Sequence, residues 1–486
     1  MNLSETLPLH ARYRGDQIAI LDPEADRSIT YRDLEELVSV GASRLINQGV
    51  REGDIVGLDL KDTVEHLVML FACARALAVI QPVDCRWTAA EKAQALTAFR
   101  ASLVVSEPDA EAVPGVPRMV VGGDDRLPDL SGLDVGVPDA SDPPLILSLS
   151  SGTTGRPKGP LLRTSQFLSR FRVFWAELGL NGRSRFLSCT PLYYGGGRAF
   201  ALHVLYSGGT VVLMRNPYTP ERFADYAEEF RIDSAFLVPT ILRRFLQAGD
   251  QTLKRMSQVE TVISSGAALH ADERDRLLDV FGPGFLQYYA STEGGGISLL
   301  RGDAADGKSA TVGRPVLGVD VMCADDAGQE VAVGETGKIR YRGPSVANSY
   351  YGDEPVGDAF RDGWFYPGDL GSLDEDGYLR IRGRSKDMII RGGVNIYPSD
   401  VESVLLSHPA VVECAVVGWS SKEFNEEVAA FVVLSEEVTS DVLMSICREQ
   451  LARYKWPREV FAVDSLPKNA LGKIRKDLLV SELPEL

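Results

Sequence analysis

The chain has 486 residues, 44% of them hydrophobic and 24% charged, which is enough apolar material for several buried cores and more than one domain. Its net charge of −17 repels nucleic acid and anionic membranes, so neither is an expected partner, and an anionic substrate must be met by local cations. The N-terminus lacks a cationic segment followed by an apolar stretch, no apolar run spans a bilayer, and the six cysteines and five histidines are scattered without a CxxC pair, which predicts a cytosolic chain without a secretory signal, transmembrane helix, zinc site or disulfide framework.

Along the chain, apolar β-branched runs at 54–60, 101–105, 210–214, 234–238 and 261–265 alternate with helix-like stretches at 88–98 and 220–230. Alternation of this kind predicts βαβ units and largely parallel sheets. The most apolar segment, 67–80, reads as a buried helix, and 108–144, rich in Asp, Pro and Gly, reads as loop. A strand is expected at 144–149. Residues 311–382 carry short strands and Gly/Asp turns such as Asp325-Asp326-Ala327-Gly328, the pattern of an antiparallel, barrel-like section. A boundary at 384–387 separates a large N-terminal part, 1–383, from a small domain, 388–486, with its own α/β alternation. The fold class is therefore α/β, a large body of two βαβ-type subdomains plus a barrel-like section, followed by a small mobile α+β domain.

Directly after the strand at 144–149 comes SSGTTGRPKG, residues 150–159. Glycines allow backbone N–H groups to approach phosphate oxygens, the hydroxyl residues add donors, and Lys158 adds a cation, so the string has the chemistry of a polyphosphate cradle. A Walker-type loop would need Ser or Thr directly after the lysine, and here Gly159 follows. Residues 287–295, QYYASTEGG, supply the flat face of Tyr289 for a base, the hydroxyl of Thr292 and the Glu293 carboxylate for a metal-bound phosphate.

These strings, in this order, resemble the signatures of the acyl-adenylate-forming enzymes, which include acyl-CoA synthetases, adenylation domains of peptide synthetases and firefly-type luciferases. The resemblance runs from residue 144 to residue 476. It implies phosphate contacts from Ser151, Gly152, Thr153, Thr154, Gly155 and Lys158, magnesium on Glu293, and adenine contacts from Gly266, Ala267, Ala268 and Tyr289. One departure stands at Ala290, where the family has glycine. GWFYPGDLG, 363–371, implies that Asp369 binds the ribose; GRSKDMIIRGGVNIYPSDVE, 383–402, implies Arg384 at the ribose or phosphate, Lys386 as hinge, and Gly392 and Gly393 on the thiol path. LPKNALGKIRKDLL, 466–479, implies that Lys473 bridges the two anions that meet during adenylation.

TPLYYGGGRAF, 190–200, resembles the family's acyl-pocket motif, with Tyr194 where many acyl- and aryl-CoA synthetases have histidine. No aspartate is present to hold a substrate ammonium, which disfavours an amino acid. Gly195–Gly197 read as room for a ring or branched chain, Arg198 as a surface arginine or a partner for a second carboxylate, and Val238 and Pro239 as wall residues. The implied function is an ATP-dependent, AMP-forming carboxylic acid–CoA ligase using ATP, Mg2+ and coenzyme A on an aromatic or medium-sized acid. Two alternatives stand beside it: a free-standing adenylating enzyme that loads the phosphopantetheine arm of a carrier protein, and a silent nucleotide-binding module.

Overall fold

A computed structural model describes residues 1–122, 135–138, 141–149, 158–267, 269, 271–304, 307–352, 359–392, 394–421, 424–468 and 474–484. By packing, the chain divides into two compact units. One comprises Met1–Ser309, Gly313–Asp320 and Arg342–Phe365; the other comprises Ala310–Val312, Val321–Tyr341 and Tyr366–Leu486.

The first unit holds two large sheets. In one, the strands Arg118–Val120, Leu103–Ser106, Ile55–Asp59, Val79–Pro82, Pro144–Leu147 and Leu161–Arg163 lie side by side in that order, all parallel except the last pair. In the other, Phe285–Ser291, Thr261–Ser264, Ser234–Leu237, Arg185–Ser188, Thr210–Leu213 and Ile18–Asp22 run parallel, and antiparallel strands close both edges. Ile55–Asp59, Val79–Pro82 and Ser234–Leu237 are buried at every position, as sheets covered by helices on both faces require. Helix starts follow local chemistry: Thr30 with Asp33 and Thr88 with Glu91 form capping boxes ahead of Tyr31–Asn47 and Ala89–Ala98. Between the packed helices Tyr31–Asn47 and Val64–Arg75, the buried Arg75 guanidinium meets Glu35 with two bonds of 2.7 and 2.8 Å.

The segment 67–80 is not one helix. Val64–Arg75 ends, Leu77 takes a left-handed conformation at φ 55°, and the chain re-enters the sheet as Val79–Pro82. A continuous apolar run cannot distinguish a buried helix from a buried parallel strand, and the β-branched Val79 and Ile80 decide for strand.

In the second unit, Gly337–Arg342, Asp369–Leu373 and Leu379–Arg384 form the expected antiparallel section. The long hairpin Val411–Ser421 and Asn425–Leu434 centres another sheet, joined by Ile389–Arg391, Val394–Ile396 and Glu459–Ala462. The packing division precedes the expected hinge at 384–387. Ser399 donates to the Arg382 carbonyl and Asp400 faces Arg382 at 3.8 Å, which ties Leu379–Arg384 to the helix Pro398–Leu406. No helix among the described residues is long and apolar enough to cross a membrane.

Burial gives one titratable group a measurable signature. His203, on the helix Gly195–Ser207, sits edge-on to Phe171 and Phe174 with Nε2 3.0 Å from the Leu180 carbonyl, and burial pushes its pKa down to about 4. The folded chain keeps it neutral while the unfolded chain protonates near 6.5, so the stability it allows is present above pH 6.5 and is lost as pH falls toward 4. His203→Gln is expected to flatten the stability profile across that window by up to about 1.4 kcal/mol per pH unit, the linkage limit for one proton. Urea midpoints at stepped pH check this; identical slopes for both proteins would remove the histidine from the account.

Candidate active site

The strand Pro144–Leu147 delivers the chain to the phosphate-cradle string, of which Ser151, Gly152, Thr153, Thr154 and Gly155 lie outside the described residues. Lys158 follows, its Nζ 5.9 Å from the centroid of the Tyr350 ring. Gly159 has to be glycine: a Cβ there would stand 2.7 Å from the Ser148 carbonyl oxygen. Its own carbonyl accepts from Tyr351 N at 2.8 Å, and Pro160 pairs with Tyr350, so segment 350–351 is zipped onto the exit of the string.

From Tyr350 the network continues to the acidic residue. Tyr350 donates its phenol to Glu293 Oε1 at 3.0 Å, and the carboxylate is buried. Thr292 and Glu293 sit in the tight connection between Phe285–Ser291 and Gly295–Leu300. Bonds that hold that connection include Arg170 Nη2 to the Thr292 carbonyl at 3.1 Å, Ala347 N to the Glu293 carbonyl at 2.8 Å, Ser345 Oγ to the Gly294 carbonyl at 2.6 Å, and Gly294 N to Ser291 Oγ at 3.0 Å. Tyr289 lies half-buried near the end of the first strand, and Ala290, at the glycine position of the family, pairs with Gly296 across the hairpin. Gly266 lies against Val238, and Ala267 is exposed; Ala268 lies outside the described residues. Val238 stands at the start of the helix Pro239–Phe245, whose first residue, Pro239, is buried.

The loop 190–195, the expected acid-binding segment and called the acid loop below, is clamped from several directions. Asp62 Oδ1 accepts from Leu192 N at 2.7 Å, and Thr190 Oγ1 donates to the Phe236 carbonyl at 3.0 Å. Arg86 Nη2 donates to the Tyr194 hydroxyl at 2.5 Å while gripping Asp84 through Nε and Nη2 at 3.0 and 2.8 Å. Its guanidinium also lies 5.4 and 5.9 Å from the centroids of Tyr193 and Tyr194. Burial and the Asp84 charge push the Tyr194 phenol up to about 12, so it is a neutral group at physiological pH.

Two expectations for this loop are corrected. Arg198 is not at the surface: it is 2% exposed, donates to the Leu192 and Tyr193 carbonyls at 3.0 and 3.1 Å and to Ser148 Oγ at 3.0 Å. Burial lowers its pKa to about 9, with the charge of Arg170 adding to the effect, and no described carboxylate pairs with it. The glycine run is not simply open space either. A Cβ on Gly196 would stand 2.6 Å from the Phe236 ring and one on Gly197 2.4 Å from the Thr190 carbonyl, whereas one on Gly195 meets no described atom within 4 Å. Gly197→Ala is therefore expected to cost about 1–3 kcal/mol, the range for forced overpacking, and to raise the KM for the acid, while Gly195→Ala is tolerated. Thermal melts and KM values for the two variants test this contrast.

The second unit carries the remaining expected residues. Asp369 opens Asp369–Leu373 and Arg384 closes Leu379–Arg384, directly paired in register, with Arg384 Nε 2.7 Å from Asp369 Oδ1. Lys386 is exposed in the short turn Ser385–Asp387. Gly392 joins Ile389–Arg391 to Val394–Ile396 and donates to the Phe424 carbonyl at 2.8 Å; Gly393 lies outside the described residues. Lys473 also lies outside them, directly before Ile474, the bridge partner of Lys468, and three residues ahead of the helix Lys476–Ser481. Its neighbours in sequence are already neutralised, Lys468 by Glu413 at 2.5 Å and Lys476 by Glu402 at 2.6 Å.

The family model described as AMP-binding enzyme matches residues 8–351, and that of the AMP-binding enzyme C-terminal domain matches 400–473. The chain belongs to the AMP-binding enzyme family. It is 34% identical over 465 residues to a feruloyl-CoA synthase of Amycolatopsis sp, covering 92% of this chain and 93% of that protein. It is 33% identical over 509 aligned positions to indoleacetate–CoA ligase of Aromatoleum aromaticum, covering 98% and 97%. Among solved structures it is similar to ATP-bound MatB from Rhodopseudomonas palustris, at 29% identity and a TM-score of 0.90, with 99% of each chain covered.

Sequence reading missed Tyr350, Arg170, Asp84 and Arg86. The only sequence signal for Tyr350 was the aromatic pair ahead of Gly352 in a turn-rich stretch; Arg86 shows locally only its neighbour Asp84, and the contacts that tie Arg86 to Tyr194 and Arg170 to Thr292 span more than a hundred residues.

Proposed function

We propose that this chain is an ATP-dependent carboxylic acid–CoA ligase working through an acyl-adenylate on an aromatic or medium-sized acid. The observation that carries the reading is the meeting of Lys158 and Glu293 on one tyrosine, a cation over its ring and a buried carboxylate at its hydroxyl, beside the strand end that enters the glycine-rich string. The feruloyl and indoleacetate relatives support the aromatic acid.

In the first half-reaction a carboxylate oxygen of the acid attacks the α-phosphorus of ATP, the bond to the bridging oxygen breaks, and pyrophosphate leaves. Residues 151–155 with Lys158 hold the phosphates, Thr292 adds a hydroxyl, and Lys473 stabilises the two anions as they meet. Gly266, Ala267, Ala268 and Tyr289 contact the adenine, and the Asp369–Arg384 pair takes the ribose. In the second half-reaction a thiol sulfur attacks the acyl carbon, AMP leaves, and the thiol proton passes to solvent. The C-terminal domain turns about Lys386 between the two steps, withdrawing Lys473 and bringing Gly392 and Gly393 to the thiol path.

Glu293 suits magnesium, a hard cation that takes one or two carboxylates and completes its shell with substrate phosphates. Among the described residues no cluster of three His, Cys, Asp or Glu offers an all-protein site instead. Bound there, the ion neutralises phosphate oxygens.

Incubating the protein with ATP, magnesium, coenzyme A and a mixture of aryl, short-chain and medium-chain acids, followed by mass analysis, tests the reading. An acyl-CoA establishes the ligase and its substrate class. Acyl-AMP without thioester transfers the reading to carrier-protein loading, and no pyrophosphate release with any acid leaves a silent nucleotide-binding module.

A further inference from the structure

Arg198 joins two parts of the first unit that the ligase reading assigns to different substrates. On one side its Nη1 holds the carbonyls of Leu192 and Tyr193, the two residues before Tyr194 in the acid loop. On the other its Nη2 holds Ser148 Oγ, and the Ser148 carbonyl is the atom against which Gly159 packs, next to Lys158. The path then runs through described residues only: Lys158 over Tyr350, Tyr350 to Glu293.

A guanidinium buried this deeply costs several kcal/mol to desolvate, so placing it here is expensive unless its fork fixes geometry that smaller or apolar side chains cannot. Nη1 is engaged on two main-chain oxygens and Nη2 on one hydroxyl, while the buried Nε has no hydrogen-bond partner among the described residues. The loop and the strand end therefore cannot shift independently without breaking one of these Arg198 bonds, a direct mechanical link between the two sites.

We infer that Arg198 is a positioning residue that couples the acid subsite to the ATP subsite, so that filling either one fixes the geometry of the other. This rests on the ligase reading for the identity of the two ligands. It differs from a mere packing role, which would lower both affinities and the stability without linking them.

The test is calorimetric and uses the full chain. The acid is the member of a panel of ferulate, indoleacetate, benzoate and octanoate that gives the fastest pyrophosphate release, and the nucleotide is α,β-methylene-ATP with magnesium. In the wild type the acid is expected to bind at least about fivefold more tightly in the presence of the nucleotide, and by reciprocity the nucleotide tightens by the same factor. Ser148→Ala, which removes only the strand-side anchor, and Arg198→Lys are each expected to bring that factor to within about twofold of unity while each ligand alone keeps its affinity. A wild-type factor of one, or variants that weaken each ligand alone and leave the factor intact, overturns the inference while the ligase reading stands. Absence of pyrophosphate release with every acid removes the ligase reading itself, and the coupling with it.

Discussion

Glu293→Gln is expected to slow acyl-adenylate formation on the order of 10²–10³-fold, the scale found when one electrostatic contact to transition-state charge is lost. The substitution is isosteric, and the amide oxygen can still accept from the Tyr350 hydroxyl, now 3.0 Å from Oε1. The bond from Ala347 N goes to the main-chain carbonyl of residue 293 and is unaffected. What disappears is the negative charge, so the defect should be greatest at low magnesium and shrink as magnesium is raised, with the melting temperature nearly unchanged. Tyr350→Phe, which keeps the carboxylate and removes one hydrogen bond, should cost far less. Pyrophosphate release titrated against magnesium distinguishes these outcomes; a Glu293→Gln rate close to wild type at low magnesium would end the assignment of the metal to this residue.

Lys473→Ala should depress adenylation by several orders of magnitude and leave thioester formation from a supplied acyl-adenylate nearly intact. The ammonium is needed only where carboxylate and α-phosphate approach each other, and the second step brings no such pair of anions together. The neighbouring lysines provide the control. Lys468 and Lys476 are each paired with a glutamate of their own unit, so Lys468→Ala should alter neither half-reaction appreciably. Single-turnover measurement of both half-reactions decides the matter: equal losses in the two steps for Lys473→Ala would place the lysine elsewhere in the chemistry.

The strands were legible because period and composition agree with burial on both faces. The run at 234–238 is the strand Ser234–Leu237, the run at 261–265 is Thr261–Ser264, and the helix read at 88–98 starts after its Thr88 cap. Motif order revealed the family and with it the fold. The turn between helix and strand at Leu77 was hidden because residues 76–80 after Arg75 are all apolar, and the left-handed residue is a leucine and not a glycine. The acid loop was misread for a different reason. An arginine reads as surface from composition alone, and only the tertiary arrangement shows that two carbonyls and a serine hydroxyl hold both Nη atoms of Arg198 inside, its Nε staying without a hydrogen-bond partner among the described residues. A run of three glycines likewise looks the same in sequence whether a Cβ would meet no described atom within 4 Å, as at Gly195, or would clash with backbone, as at Gly197. The Asp84–Arg86–Tyr194 bracket combines one short-range and one long-range contact, and the latter is invisible to any local pattern.

The placement of Ile18–Asp22 bears on how the chain is made. This strand pairs in parallel with Thr210–Leu213, Ile20 facing Val211, so its partner leaves the ribosome roughly 190 residues later. At a synthesis rate of about 5–20 residues per second the first strands wait tens of seconds or so with their edges unpaired. The other large sheet draws only on residues between Ile55 and Arg163, so it can complete within that interval. Nascent chains of this protein thus carry one finished sheet and one orphaned hairpin from the emergence of Arg163 until that of Thr210, an interval in which the hairpin edge is open to mispairing.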